Sequence, residues 1–119
     1  MSIYQEIILS HYKNPHHWGK LTEATNHANI ANSSCGDKFE VGGIIESGNL
    51  ADFRFSGEGC AISIATASML SDYAIGKKIT DLRKLDVSFI LNMLGIELSP
   101  NRLKCALIPL EALHKLLNI

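Results

Sequence analysis

The stretch Lys38-Phe39-Glu40-Val41-Gly42-Gly43-Ile44-Ile45-Glu46-Ser47-Gly48-Asn49-Leu50-Ala51-Asp52-Phe53-Arg54-Phe55-Ser56 decides the fold. Before Ser47, the residues Phe39, Val41 and Ile45 fall on one face, with Gly43 leaving a gap, while Glu40 and Glu46 fall on the other. After it, Ala51, Phe53 and Phe55 alternate with Asp52, Arg54 and Ser56. Two period-2 runs joined by Ser47-Gly48-Asn49 predict a β-hairpin with one buried face.

Helices are predicted on both sides of this hairpin. Ser2 with Gln5 three residues later has the form of a capping box, and Ile3, Ile7, Ile8 and Tyr12 follow at helical spacing. Asn14-Pro15 stops that helix near residue 13. His16 to Asn32 is rich in His, Asn and Thr and reads as a loop with a short strand around Ala28–Ala31. Beyond the hairpin, a helix is expected from about Ala61 to Ile75, closed by Gly76, with Ile62, Ala65, Met69 and Tyr73 as its apolar stripe. Thr80-Asp81 reads as the N-cap of a helix running to Leu94 and stopping at Gly95. From Ser99-Pro100 onward, Leu103, Leu107, Leu110, Leu113 and Leu117 recur at helical spacing. Pro109 interrupts that pattern and predicts a kink, or a fresh start with Pro109 at the first helical position. The order of elements is α+β: an antiparallel sheet of about three strands with helices packed on one face.

With 119 residues and 13.0 kDa, the chain is expected to form a single domain spanning 1–119. A formal net charge of −1 argues against a broad nucleic-acid footprint or an anionic membrane surface. No apolar run approaches the roughly 18 residues needed to span a bilayer. The N-terminus lacks the basic region and small-residue cleavage site of a signal peptide, so reduced thiols in a cytoplasmic setting are expected.

Three cysteines stand apart at Cys35, Cys60 and Cys105. Their odd number argues against a disulfide framework, and their spacing does not match a zinc knuckle. Cys35 and Asp37 precede the first strand of the hairpin and Cys60 follows the second. Antiparallel pairing therefore brings them together at one end. Cys60 then sits just before the helix that begins near Ala61, where free N–H groups favour a negatively charged sulfur. Cys105, near the start of the last helix, joins them if that helix packs across the same end. Gly36, Gly57 and Gly59 are expected to let backbone pass close to a ligand. Such a constellation suits an open metal or sulfur site. The competing readings are a merely buried Cys105, an Asp37 that serves only a turn, and a closed zinc site without chemistry.

At these residues the chain resembles the NifU N-terminal-like family of iron–sulfur cluster assembly proteins, of IscU and SufU types. His11-Tyr12-Lys13-Asn14-Pro15 with Gly19 is similar to the family's opening signature, and Ser34-Cys35-Gly36-Asp37 to its first cysteine motif. The run from Phe55 through Gly57-Glu58-Gly59-Cys60 to Met69 resembles the SufU form of the second motif, and Arg102-Leu103-Lys104-Cys105-Ala106 resembles the third. The resemblance implies a SufE/NifU-like fold. It also implies a scaffold that accepts sulfur from a cysteine desulfurase, binds iron, and builds a transient [2Fe–2S] cluster for transfer to apo iron–sulfur proteins. Cys35, Asp37, Cys60 and Cys105 would be the cluster or metal ligands, with Cys35 as the persulfide acceptor. The SufU branch implies an alternative, a zinc-dependent sulfurtransferase that activates a desulfurase, with zinc in the same site. A monomer or weak homodimer is expected.

Three departures accompany the resemblance. Lys104 stands where IscU proteins carry His. Leu98-Ser99-Pro100-Asn101-Arg102 differs from the IscU chaperone-recognition stretch, so a dedicated Hsp70-type chaperone is not expected. The SufU extra segment before the last cysteine motif is missing. Of the remaining candidates, His16-His17 reads as solvent-exposed surface because adjacent loop histidines converge poorly on one ion. His11 and His27 read as isolated, and His114 as a helix flank.

Overall fold

In the computed structural model, which describes residues 2–32 and 36–118, the chain runs α1 (Ile3–Lys13), β1 (Asn26–Asn32), β2 (Asp37–Glu46), β3 (Asn49–Glu58), α2 (Ala61–Ala74), α3 (Ile79–Leu82), α4 (Val87–Leu94) and α5 (Pro100–Leu117). The strands form one antiparallel sheet in the order β1-β2-β3. Against it lie α2, which also carries α1, and α5, which crosses β1 and β2. This is the α+β layering expected.

The β2–β3 hairpin turns through Ser47 and Gly48, both at positive φ (53° and 79°), as a two-residue turn matched to strand twist requires. Its register contains one irregularity. Ile44 pairs with Asp52 but Ile45 pairs with Leu50, leaving Ala51 as an extra residue. This β-bulge reverses the phase of β3 toward its beginning. Ala51, expected on the buried face with Phe53 and Phe55, is exposed, and Leu50 is fully buried instead. The gap expected at Gly43 is filled by Leu50 and by Leu116 from α5, which a Cβ there would meet at 3.1 and 3.2 Å.

β1 extends three residues beyond the expected strand, because its pairing with β2 continues from Asn26↔Gly43 to Asn32↔Asp37. The far edge of β3 is covered by the loop after α1. Phe55 N–H donates to the His17 carbonyl (3.1 Å), Gly19 N–H donates to the Phe55 carbonyl (2.9 Å), and Trp18 stands edge-on to Phe55. A covered edge offers no template for another strand.

Local signals placed α1 well. Ser2 Oγ accepts from Gln5 N–H (3.2 Å) while Gln5 Oε1 accepts from Ser2 N–H (3.0 Å), and the helix stops before Asn14-Pro15. Only Ile8 of its apolar residues is buried, while Ile3, Ile7 and Tyr12 face outward.

α2 departs further from expectation. Ile62, Ala65, Leu70 and Ala74 are buried, and so are Ser63, Thr66, Ser68 and Ser71, whereas Tyr73 is exposed. Helices pack on more than one side of α2, so small residues are buried where a single stripe was expected. Thr66 and Ser71 donate their hydroxyls to the carbonyls of Ile62 and Ser68, both at 2.7 Å, which makes their burial tolerable.

The helix expected to run from Thr80-Asp81 to Leu94 is two pieces. Asp86, not Thr80 or Asp81, caps the longer one, accepting from Phe89 N–H at 3.1 Å, and Gly95 closes it with φ 67°. α5 runs unbroken through Pro109, so the helix does not restart there. Ser99 caps it, accepting from Arg102 N–H, and Pro100 occupies its first position.

The bulge sets opposite expectations for neighbouring residues. Leu50→Ala should cost about 2–5 kcal/mol in urea unfolding, and Ala51→Ser should change stability by no more than about 0.5 kcal/mol. Uninterrupted alternation would reverse that order.

Candidate metal centre

Hairpin closure places Asp37 where the sequence requires it. Asp37 begins β2, while β3 ends one residue before Gly59-Cys60. Because Lys38 pairs with Glu58, the chain leaving β3 passes beside Asp37. Cys60 N–H then donates to Asp37 Oδ1 at 3.2 Å. Cys60 is also the N-cap of α2, with Sγ accepting from Ser63 N–H at 3.5 Å. Ser63 Oγ lies 3.6 Å from that sulfur and donates to the Cys60 carbonyl at 3.1 Å. A sulfur held at a helix N-terminus faces N–H groups that have no partner within the helix, and this one serves as acceptor for one of them.

Cys105 reaches the same point from the second turn of α5 and is buried. One carboxylate oxygen of Asp37 and the sulfurs of Cys60 and Cys105 lie within 4.8 Å of one another. Ligand atoms around one tetrahedral zinc stand about 3.8 Å apart, given Zn–S bonds of about 2.3 Å. The trio is therefore close to a coordinating arrangement. Asp37 supplies a further sign. The residue is only 3% exposed, yet Oδ2 has no hydrogen-bond partner among the described residues. An unsatisfied buried oxygen costs about 1–3 kcal/mol, more when charged. A bound cation would satisfy it, and a donor set of two soft sulfurs and one hard oxygen fits zinc or iron. Cys35, the remaining residue of the expected set, lies outside the described residues.

The centre opens into a cleft lined by Asn32, Ala61, Asn101, Arg102 and Lys104 together with the two cysteines. Arg102 and Lys104 are exposed and put positive charge at its rim. The glycines serve the approach differently from the expectation. A Cβ at Gly57 would overlap the Lys38 carbonyl oxygen, and one at Gly59 would overlap Ser63 Oγ and come within 2.8 Å of Phe39. They let β3 cross into α2 against protein, not against a ligand; a Cβ at Gly36, in contrast, would meet nothing within 4 Å among the described residues.

Two features escaped sequence reasoning. Ser63 supports the Cys60 sulfur, and its only signal was the three-residue spacing from a capping residue. His16 is exposed as expected, but His11 is not isolated: ligand atoms of His11, His16 and Asp72 also lie within 4.8 Å of one another. His27 is exposed and His114 lies 3.0 Å from the Leu82 carbonyl oxygen.

Comparison with known proteins shows what the whole chain is similar to. The family described as NifU-like N terminal domain matches residues 3–118. The chain is 30% identical to the zinc-dependent sulfurtransferase SufU of Bacillus subtilis, over 96% of this chain and 88% of that protein. That alignment spans 131 positions, more than the 119 residues here, so SufU carries residues with no counterpart in this chain. The chain is 34% identical to the iron–sulfur cluster assembly scaffold protein IscU of Aquifex aeolicus, over 93% of this chain and 71% of the other. Among solved structures, a protein proposed as the SUF-system cluster assembly scaffold of Fervidobacterium islandicum superimposes with a TM-score of 0.79. Identity is 26%, with 94% of each chain covered.

If the trio holds a cation, excess zinc should raise apparent stability by about 2.7 kcal/mol when free zinc is about 100-fold above Kd. Cys60→Ser and Cys105→Ser should remove most of that gain in thermal unfolding. An equal gain in both variants would put the ion elsewhere.

Proposed function

The chain belongs to the NifU-like N-terminal domain family, and from that premise we propose that it is an iron–sulfur cluster assembly scaffold. It accepts sulfur from a cysteine desulfurase, binds iron, and builds a transient [2Fe–2S] cluster for apo iron–sulfur proteins. The observation that carries this reading is Asp37, a buried carboxylate with one oxygen unused among the described residues, set against two cysteine sulfurs beneath an open cleft.

Each residue has a distinct task in this reading. Cys60 holds its sulfur at the start of α2, steadied by the Ser63 N–H, and Cys105 brings a second sulfur from α5. Cys35, one residue before Gly36 and two before Asp37, supplies the third thiol and is the first acceptor of persulfide sulfur. Asp37 offers a harder and weaker donor to iron than a thiolate, which suits a cargo that must leave. The cleft leaves the incoming sulfur and the departing cluster a way through. Arg102 and Lys104 at its rim attract anionic sulfur species and an acidic partner surface. Thiols used this way need a reducing compartment, and the cytoplasm meets that need. Among the described residues no helix is long and apolar enough to cross a membrane.

A second reading, a zinc-dependent sulfurtransferase, is favoured by Lys104. An ammonium beside Cys105 cannot ligate metal as an imidazole would, leaving a Cys₃Asp set suited to zinc.

Anaerobic reconstitution with iron, cysteine and a cysteine desulfurase separates the two. The scaffold should develop a brown chromophore, absent in Cys35→Ser, Cys60→Ser and Cys105→Ser. Asp37→Ala should keep its cluster severalfold longer when challenged with an apo acceptor. Retained zinc, no chromophore and a faster desulfurase would transfer the assignment to the sulfurtransferase.

A further inference from the structure

Beside the far end of α2 stands a second group of side chains able to ligate a metal. We propose that His11, His16 and Asp72 form a separate site for a divalent cation of the zinc class, with Ser68 and His17 orienting the ligands. The proposal does not depend on the cluster-assembly reading, because it uses none of the same residues. Cys60 and Asp72 are separated by 12 residues of sequence, about 18 Å along a helix axis.

Three elements converge here. His11 comes from the last turn of α1, His16 from the loop that follows, and Asp72 from the last turn of α2. Their ligand atoms lie within 4.8 Å of one another, and the His11 and His16 rings are 4.5 Å apart between centroids. The arrangement is held from behind. Ser68, fully buried on α2, accepts the His16 backbone N–H at 2.7 Å and lies 2.7 Å from His11 Nδ1. In the tautomer that donates Nδ1–H to Ser68 Oγ, His11 keeps its Nε2 lone pair for a cation. Metal-bound histidines characteristically give their other ring N–H to such a partner. Burial and the neighbouring His16 hold the His11 pKa below its ordinary value despite Asp72 nearby, which favours the neutral, ligating form.

Asp72 explains how adjacent histidines can act together. They do not both point at one ion; they take the two oxygens of one carboxylate. His16 Nδ1 lies 2.7 Å from Oδ2 and His17 Nε2 lies 3.0 Å from Oδ1. His17 has φ 57°, an uncommon backbone conformation for a residue with a side chain, and its carbonyl is tied to Phe55 of β3. That anchorage aims its ring at Asp72 and leaves His16 on the other side. On binding, the cation replaces the proton between His16 Nδ1 and Asp72 Oδ2, and that proton leaves to solvent. Two imidazoles and one carboxylate suit zinc, nickel or copper better than magnesium or calcium. Three protein ligands leave coordination positions open to water, since His16 and Asp72 are exposed. The ion would fasten α1, the loop over β3 and α2 to one another.

The test is a Zn²⁺ titration of the full chain followed through histidine side-chain ¹H–¹⁵N spectra, continued past the first equivalent so that the cysteine centre is filled. His11 Nε2 and His16 Nδ1 should move to metal-bound ¹⁵N positions while exposed His27 and the more distant His114 stay in place. Asp72→Asn and His16→Gln, both at exposed positions, should each abolish this second event. Ser68→Ala should weaken it by about tenfold or more. The proposal is overturned if His11 and His16 remain unmoved in excess zinc, if all five histidines respond alike, or if the folded Asp72→Asn protein binds as tightly as the original.

Discussion

The hydrogen bond from Cys60 N–H to Asp37 Oδ1 ties the start of β2 to the start of α2 and holds the carboxylate at the candidate centre. It works because the antiparallel hairpin returns the chain to where it began, so that residues 23 positions apart meet. It also commits Asp37 to burial. Oδ1 is used in holding the chain together, and Oδ2 is left without a hydrogen-bond partner among the described residues. A carboxylate in that position raises the energy of the metal-free protein and would lower that of a loaded one. The fold thus carries a local destabilisation at the candidate centre.

α2 organises the rest. Its first residue follows a cysteine cap, its middle buries hydroxyls that return hydrogen bonds to the helix's own carbonyls, and its last turn carries Asp72. Small side chains along it let helices approach from more than one direction while β3 lies beneath. The same helix therefore relates two groups of ligating residues of different character: sulfur-rich and mostly buried at its N-terminus, imidazole-rich and mostly exposed at the other end. Soft thiolates suit iron, copper(I) and zinc, whereas imidazole and carboxylate suit borderline cations. The difference in donor type keeps the two groups chemically distinct within one small fold.

The cationic rim adds a directional element. Arg102 and Lys104 sit in the first two turns of α5, beside the sulfur that α5 contributes. Local positive charge at a cleft concentrates anions even on a chain whose formal net charge is −1. Lys104 therefore brings positive charge to the cleft, whereas an imidazole in its place would have offered a metal ligand.

Sequence alone determined whatever depends on neighbours a few residues apart. The Ser2–Gln5 capping box, the stop before Pro15, the Ser47-Gly48 turn and the Gly95 cap all follow from local backbone chemistry. So does the meeting of Asp37 with Cys60, because antiparallel pairing allows little else. Other features turned on competition between similar local signals. Asp81 and Asp86 are both plausible caps, and only the packing of the surrounding chain selects Asp86. Ala51 and Leu50 are both apolar, and the bulge that exposes one and buries the other is set by how β3 fits β2 under α5. The His11–His16–Asp72 group lay beyond sequence reasoning altogether: contacts across more than 50 residues exist only after α1 has docked on α2. Local hydrogen bonds are encoded by spacing along the chain, but a long-range cluster is decided by which surfaces the packed core brings together.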